Sequence, residues 1–230
     1  MSCILNIETS TKSCSVAVSN DGKVIFNDED CSGSNHNVKL GVFVDEALSF
    51  IDNHAIPLDA VAVSGGPGSY TGLRIGTSMA KGICYGRGIK LIGIPTLEVL
   101  CVPVLLQEMI LEKNALLVPM LDARRMEVYS QIFDRSLKEV REIQANVVTQ
   151  DTYKEYLEKG PVYFFGDGAA KCMDIIHHPN AHLIKGIEPL AKNMLPLAEK
   201  RIAEEKFEDV AYFVPFYLKD FVATKPRKLL

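Results

Sequence analysis

Residues 64–76, SGGPGSYTGLRIG, form the segment whose composition most resembles a ligand-binding loop, with five glycines just before a helical pattern. Backbone N–H groups at a helix N-terminus attract anions, and glycines let a ligand approach closely. The segment is not a P-loop, because no Gly-Lys-Ser/Thr follows, and Thr71 stands where the dinucleotide fingerprint needs its third glycine. Two interpretations stay open: a phosphate or nucleotide contact at a sheet edge, or a tight turn that lets the next helix dock closely.

A second polar run, NIETST at residues 6–11, closes the first apolar segment and is a candidate for a phosphate-contacting hairpin. Together with the glycine loop it gives one set of candidate nucleotide or anion contacts. These are Glu8, Thr9, Ser10, Thr11, Gly66 and Gly68.

No pattern in the chain predicts a metal site or a nucleophile. His178 and His182 have the four-residue spacing of helical ligands, but Pro179 lies between them and makes such a helix improbable, so a polar turn is favoured. The nucleophile elbow G-x-S-x-G of serine hydrolases is absent. We therefore predict neither catalytic residues nor metal ligands.

Charged residues cluster at Asp122, Arg124, Arg125 and Glu127, where two apolar segments meet a polar turn. A salt-bridged surface is the simpler interpretation, and a contact with a partner or with RNA is the alternative. The cluster therefore stays an open candidate.

The composition is that of an ordinary globular protein: 230 residues, 47% hydrophobic, 23% charged, with a net charge of -4. This mild acidity argues against nucleic-acid binding over a broad face, though not against a local basic patch. Six scattered cysteines without a CxxC pair predict reduced, mostly buried thiols. No signal peptide or apolar run of membrane-spanning length is evident, so we expect a cytoplasmic protein without a membrane partner.

Hydropathy predicts which elements position these groups. The first thirty residues predict three antiparallel strands, with a tight hairpin at Asp21-Gly22. An amphipathic helix follows over about 36–52, then the buried strand LDAVAVS, a second helix over about 71–86 and the strand IKLIGIP. The order β-β-β-α-β-α-β indicates an α/β domain.

The second half repeats this order in shortened form. It predicts a helix over 96–113, strands within 115–149, a helix near 151–158, the strand PVYFFGDGA and a helix over 189–205. GDG at residues 166–168 fits an adenosine-side loop or a strand-ending turn. Similar halves indicate a duplicated domain.

Small residues recur every four positions along the second predicted helix, at Gly72, Gly76 and Ala80. Glycine inside a helix costs roughly 1 kcal/mol relative to alanine. Such spacing therefore predicts that another backbone packs closely there.

Three runs, ILNIETSTKSCSVAV, AVAVSGGPGSYTGLRIGTSMAKGI and IGIPTLEVL, together resemble the bacterial TsaB (YeaZ) family. DARRMEVY and PFYLKD extend the resemblance over nearly the whole chain, most strongly over residues 1–100. Proteins of this family are non-catalytic subunits of the machinery that installs threonylcarbamoyladenosine in transfer RNA. The resemblance implies an α/β fold of two actin-like (RNase H-like, ASKHA) lobes. These would be residues 1–100 and a reduced lobe, 101–230, that ends in a basic tail.

The resemblance also implies partners. TsaD carries the catalytic metal and transfers threonylcarbamoyl to adenosine 37, TsaE is a small ATPase that joins, and transfer RNA is reached through the complex. Where the catalytic relative has two histidines four apart, this chain has Thr96 and Leu100, so we expect no catalysis, no metal and no tightly bound cofactor. ATP or ADP at the partner interface stays open.

By analogy, the two long helices would pack on matching helices of TsaD, and the isolated chain would form homodimers through the same face. The predicted interface residues are Leu40, Val44, Gly72, Ile75, Gly76, Met79, Ala80 and Ile83. The alternative function is a stand-alone actin-like ATPase or kinase. Glu8 stands where such ATPases carry an acid that acts through Mg²⁺, although the short second lobe argues against it.

Overall fold

The computed structural model describes residues 2–33, 36–107, 109–110 and 112–219. They form two five-stranded mixed sheets that share one topology. In each sheet the first three strands are antiparallel neighbours, and two later strands add in parallel on the other side. The duplication that the sequence indicated is therefore present in the strand order.

The first sheet has the order β3-β2-β1-β4-β5. Asp21 and Gly22, both with positive φ, join β2 to β3, which confirms the predicted hairpin. The central strands are buried along almost their whole length, as their continuous apolar runs predicted. The strands are β1 Cys3–Glu8, β2 Cys14–Asn20, β3 Lys23–Asp30, β4 Ala60–Gly66 and β5 Lys90–Pro95.

The second sheet has the order β10-β9-β6-β7-β8, which is the same connectivity read from the other edge. Its strands are β6 Leu116–Asp122, β7 Glu127–Phe133, β8 Glu139–Val147, β9 Val162–Phe165 and β10 Ala181–Leu183.

The helices show which half is reduced. Two 18-residue helices, α1 His36–Asn53 and α2 Tyr70–Arg87, follow β3 and β4. At the matching places in the second half stand two four-residue helices, α4 Lys154–Leu157 and α5 Ala169–Cys172. The second half is thus a shortened version of the first.

Three further helical segments complete the fold. Helix α3, Thr96–Leu106, contacts β4 and β5 of the first sheet and β6 of the second. A short 3-10 helix, Ala191–Met194, leads into α6, Leu195–Ala203, which packs back on β1 and β5. The C-terminal part of the described chain therefore covers the first sheet, while the division at residue 100 stays a prediction.

Two predicted details were wrong, and two short elements were missed. Helix α3 ends at Leu106 rather than near residue 113, because the chain then turns to bury Ile110 in the core beside Leu117. The segment over 189–205 begins with a 3-10 turn instead of regular α-helix. Helix α5 and strand β10 were not predicted, since elements of three or four residues are too short for periodicity to register.

The cysteines, the apolar helices and the basic tail were also the subject of predictions. All six cysteines are free and five are buried, as predicted. Among the described residues, no helix is both long and apolar enough to cross a bilayer. The basic tail, KPRKLL at residues 225–230, lies outside the described residues.

Candidate functional site

The glycine loop of residues 64–76 packs directly on the turn that links β1 to β2. The backbone N–H of Ser69 donates to the carbonyl oxygen of Ser10 at 2.6 Å, and Thr9 Oγ1 donates to the carbonyl oxygen of Gly72 at 2.8 Å. Ser69 caps α2, because its hydroxyl accepts from the N–H of Gly72. Two backbone donors at this helix N-terminus, the N–H groups of Ser69 and Gly72, are therefore engaged by the chain itself.

Three glycines are required by this packing. A Cβ on Gly68 would lie 2.4 Å from the carbonyl oxygen of Ser10, and one on Gly72 would lie 2.0 Å from that of Thr9. At Gly76 it would lie 2.3 Å from Thr9 Oγ1. The atoms that approach these glycines belong to Thr9 and Ser10, in the turn after β1, which supports the docking interpretation of the loop.

Five of the eight predicted interface residues are not on the surface, and the interface itself stays a prediction. They are buried in the core because they face the protein's own first sheet: Leu40, Val44, Gly72, Gly76 and Ala80. The other three, Ile75, Met79 and Ile83, lie half-buried at the edge of that core.

The predicted anion contacts lie close together, and most are covered. Glu8, Thr9 and Ser10 are buried, whereas Thr11 and Gly68 are half-buried. Glu8 Oε1 accepts from the N–H of Ser10 at 2.6 Å. Burial raises the pKa of Glu8 to about 7, against the lowering effect of its hydrogen bonds. A nucleotide or anion contact here stays a prediction.

A segment that sequence reasoning missed also covers the loop. We call residues 208–217 the C-terminal strap. Gly66 has φ +101°, and a Cβ there would lie 2.4 Å from the carbonyl oxygen of Phe216. The N–H of Phe216 donates to the carbonyl oxygen of Gly65 at 2.7 Å. Lys81 Nζ on α2 donates to the carbonyl oxygens of Ala211 at 2.9 Å and Phe213 at 3.1 Å. The strap has no periodic pattern by which its place could have been predicted.

The outward surface of α1 and α2 has a different character. Val38 and Val42 are 66% and 48% exposed, and Tyr85 is 86% exposed. The bidentate ion pair between Arg87 and Asp52 joins the C-terminal ends of the two helices. We call this surface the helix face, formed by Val38, Gly41, Val42, Ile75, Ser78, Met79, Gly82 and Gly86.

Glycines on the helix face have no role in the packing of this fold. A Cβ on Gly41, Gly82 or Gly86 would meet nothing within 4 Å. Each costs helix stability of roughly 1 kcal/mol relative to alanine. Ser78, Gly82 and Gly86, spaced by four, form the outward row of small residues on α2, where the sequence had indicated Gly72, Gly76 and Ala80. A row of this kind allows another backbone to approach closely.

The second half repeats the glycine arrangement without a helix of comparable length. Gly166 has φ +99°, and its Cβ would lie 2.3 Å from the carbonyl oxygen of Met120. The carboxylate of Asp167 accepts from the N–H of Asp122 at 2.9 Å. The GDG segment is thus a strand-ending turn against β6, just as Gly66 and Gly68 end β4.

The described residues contain no cluster of three or more histidine, cysteine, aspartate or glutamate side chains suited to a metal. His182 lies on β10 and stacks on Tyr163, while His178 Nδ1 accepts from the N–H of Asn180. Thr96 and Leu100 are fully buried. The predicted polar turn at His178 is confirmed.

Comparison with known proteins gives concordant matches. Residues 30–227 match the family model described as "TsaD: tRNA N6-adenosine threonylcarbamoyltransferase". The chain is 31% identical to the tRNA threonylcarbamoyladenosine biosynthesis protein TsaB of Escherichia coli (strain K12), over 96% of each protein. It is also 31% identical to the protein of that name from Bacillus subtilis (strain 168), over 71% of this chain and 70% of that protein.

A solved structure, YeaZ from Pseudomonas aeruginosa, superposes with a TM-score of 0.80 at 21% identity, over 95% of this chain and 100% of that one. At this identity the likeness establishes the fold alone. Together with the family match it confirms the actin-like α/β fold that the sequence predicted.

Proposed function

Because the chain belongs to the TsaB (YeaZ) family, we propose that it is a non-catalytic subunit of the machinery that makes threonylcarbamoyladenosine in transfer RNA. In this role it docks a TsaD-type transferase and activates it. Involvement in this biosynthesis rests on the names of its relatives. The scaffold role rests on the helix face.

The observation that carries the proposal is that exposed apolar side chains and glycines without packing neighbours occur on the same helix face. Val38 and Val42 leave apolar surface in water on α1, while Gly82 and Gly86 lower the helix propensity of α2 with no internal contact in return. Both costs are offset if a second protein covers the face.

The family match of this chain also indicates the fold of the proposed partner. Since residues 30–227 match a transferase family, the transferase and this chain are built on related folds. Related folds present related helices, so α1 and α2 can pack against their counterparts much as two copies of one chain pack in a symmetric dimer. Such packing buries all four helices in one interface.

The absence of catalysis is proposed on the chemistry of the described residues. No metal-binding cluster is present among them, and Glu8, in the place of the actin-like acid, is fully buried. A TsaE-type ATPase, a cytoplasmic location and ATP or ADP at the partner interface complete the proposal. These three elements rest on the family resemblance.

Co-purification with the TsaD-type transferase tests the docking face. Gly82→Leu fills open space, so the monomer should keep its fold while the bulky side chain blocks close approach. Ala170→Leu, on the exposed side of α5 in the second half, is the matched control. We expect Gly82→Leu to abolish the heterodimer and Ala170→Leu to leave it intact. Equal heterodimer formation by both variants would refute the helix face as the docking site.

A further inference from the structure

The turn between β6 and β7 holds two arginines in a backbone conformation that disfavours them. Arg124 has φ 69° and Arg125 has φ 52°. Hydrogen bonds from Ala123 N to Glu127 O and from Glu127 N to Arg124 O close the turn. Left-handed backbone is costly for residues other than glycine, asparagine and aspartate. We call residues 123–126 the arginine hairpin.

The carboxylates beside this hairpin already have cationic partners. Lys171 Nζ pairs with Asp122 and also donates to the carbonyl oxygens of Arg125 at 2.8 Å and Glu127 at 2.7 Å. The carboxylate of Glu127 pairs with Lys219. Asp122 also accepts the backbone N–H of Arg124 at 2.9 Å. These contacts place two lysines against the two carboxylates.

The guanidinium groups of Arg124 and Arg125 have no anionic partner among the described residues. Arg124 and Arg125 are both exposed, and within the described residues neither side chain has a hydrogen bond or an ion pair. The charges within the two lysine–carboxylate pairs cancel, so the two guanidinium charges have no direct partner among the described residues, on a chain whose net charge is -4. The left-handed backbone at Arg124 and Arg125 costs free energy, and no described group of the chain binds their guanidinium groups. Both side chains are therefore available to an external anion.

Phosphodiester groups are anions that fit this pair. A guanidinium offers a planar fork of donors that matches phosphate oxygens, and it holds its charge at every physiological pH. A small patch of this size suits a few contacts with a backbone that is mainly held elsewhere, which agrees with the acidic whole.

We propose that the arginine hairpin contacts the phosphate backbone of the RNA that the assembled complex binds. The proposal rests on the proposed function, because the RNA is bound by the assembled complex and the other proteins of that complex provide most of the affinity for it. It makes this chain a direct RNA contact, rather than one that reaches RNA only through its partner.

The test measures binding of a transfer RNA transcript to the complex of this chain with the TsaD-type transferase, over a series of salt concentrations. Arg124→Asn with Arg125→Gly removes both charges and suits the left-handed backbone, so the fold is retained. Lys113→Gln with Lys138→Gln removes two exposed charges at the opposite end of the same sheet as the matched control.

We expect the arginine variant to bind the transcript at least about tenfold more weakly at physiological salt. Its log–log salt dependence should be shallower by about 1 to 2, one or two fewer phosphate contacts. The control and the conservative pair Arg124→Lys with Arg125→Lys should keep the wild-type salt slope. Unchanged affinity and slope in the arginine variant would overturn the proposal.

Sedimentation of the same samples, without RNA, separates this inference from the proposed function. The arginine variant should form the heterodimer as the wild type does, since the hairpin joins β6 to β7 in the second sheet, whereas the helix face lies on α1 and α2, which pack on the first sheet. Loss of the heterodimer in this variant alone would overturn the proposal and assign the hairpin to an acidic protein surface. Failure of Gly82→Leu to affect docking would count against the proposed function only.

Discussion

Thr9 and Gly72 are joined in both directions: Thr9 Oγ1 donates to the carbonyl oxygen of Gly72 at 2.8 Å, and a Cβ on Gly72 would lie 2.0 Å from the carbonyl oxygen of Thr9. The first turn of α2 is thus pressed against the end of β1. The glycine-rich loop allows this contact within the chain, so the proposed partner would have to meet other glycines of α2.

Substitution of glycines on opposite sides of α2 should have opposite effects on stability. Gly72→Ala places a methyl group against backbone that cannot move away, and should lower the free energy of unfolding by about 3 kcal/mol. Gly82→Ala, in open space, should raise it by about 1 kcal/mol. Urea denaturation of both variants measures the two shifts. Equal effects would mean that the assignment of inner and outer glycines is wrong.

Glu8 should make stability depend on pH. Burial raises its pKa from 4.5 to about 7, so the folded state favours the protonated carboxyl. This contribution is fully present below about pH 4.5 and is lost as pH rises to about 7, a change of about 3 kcal/mol. Glu8→Gln should remove that slope, matching the wild type near pH 5 and exceeding its stability at pH 8. Parallel denaturation profiles of the two proteins from pH 5 to pH 8 would contradict this.

Lys81 should hold the C-terminal strap on α2. Lys81→Met removes the donor to the carbonyl oxygens of Ala211 and Phe213, and should cost about 1 kcal/mol. Limited digestion with chymotrypsin should then cleave faster after Tyr212, which is exposed on the strap. Lys154→Met, on α4 of the second half, is the control. The strap attachment would be disproved by identical digestion rates for the two variants.

The isolated chain should self-associate through the helix face. Apolar side chains such as Val38 and Val42 have no other cover on the described surface, and two copies can pack as we propose for the chain and its partner. Light scattering at rising concentration should show a dimer in the wild type and a monomer in Gly82→Leu. A wild type that stays monomeric throughout would contradict the expectation.

Much of the fold could be predicted because long elements carry strong patterns. The positions of α1 and α2 follow from apolar residues three and four apart, and the turn at Asp21-Gly22 follows from residues that accept positive φ. Short elements such as α5 and β10 leave no such pattern, because their position depends on packing against β6 and β9.

The site was harder to predict, because a helical glycine in the sequence indicates a close approach of another backbone but not which backbone, or from which side of the helix. Gly76 meets Thr9 of its own chain, whereas Gly82 meets nothing, yet both are helical glycines in one segment. The direction of approach depends on the tertiary position of β1. The strap residue Phe216 was missed for a similar reason: its contact with Gly66 joins residues 150 positions apart in the chain.

Reconstituted modification of a transfer RNA transcript measures the central proposal most directly. The chain, the TsaD-type transferase, the TsaE-type ATPase and a threonylcarbamoyl donor are combined, and each protein is omitted in turn. We expect no modified adenosine from this chain alone, little without it, and full activity from the complete mixture. With Gly82→Leu in its place, activity should fall to the level seen without the chain. Modification by the isolated chain, or full activity of the Gly82→Leu mixture, would contradict the account.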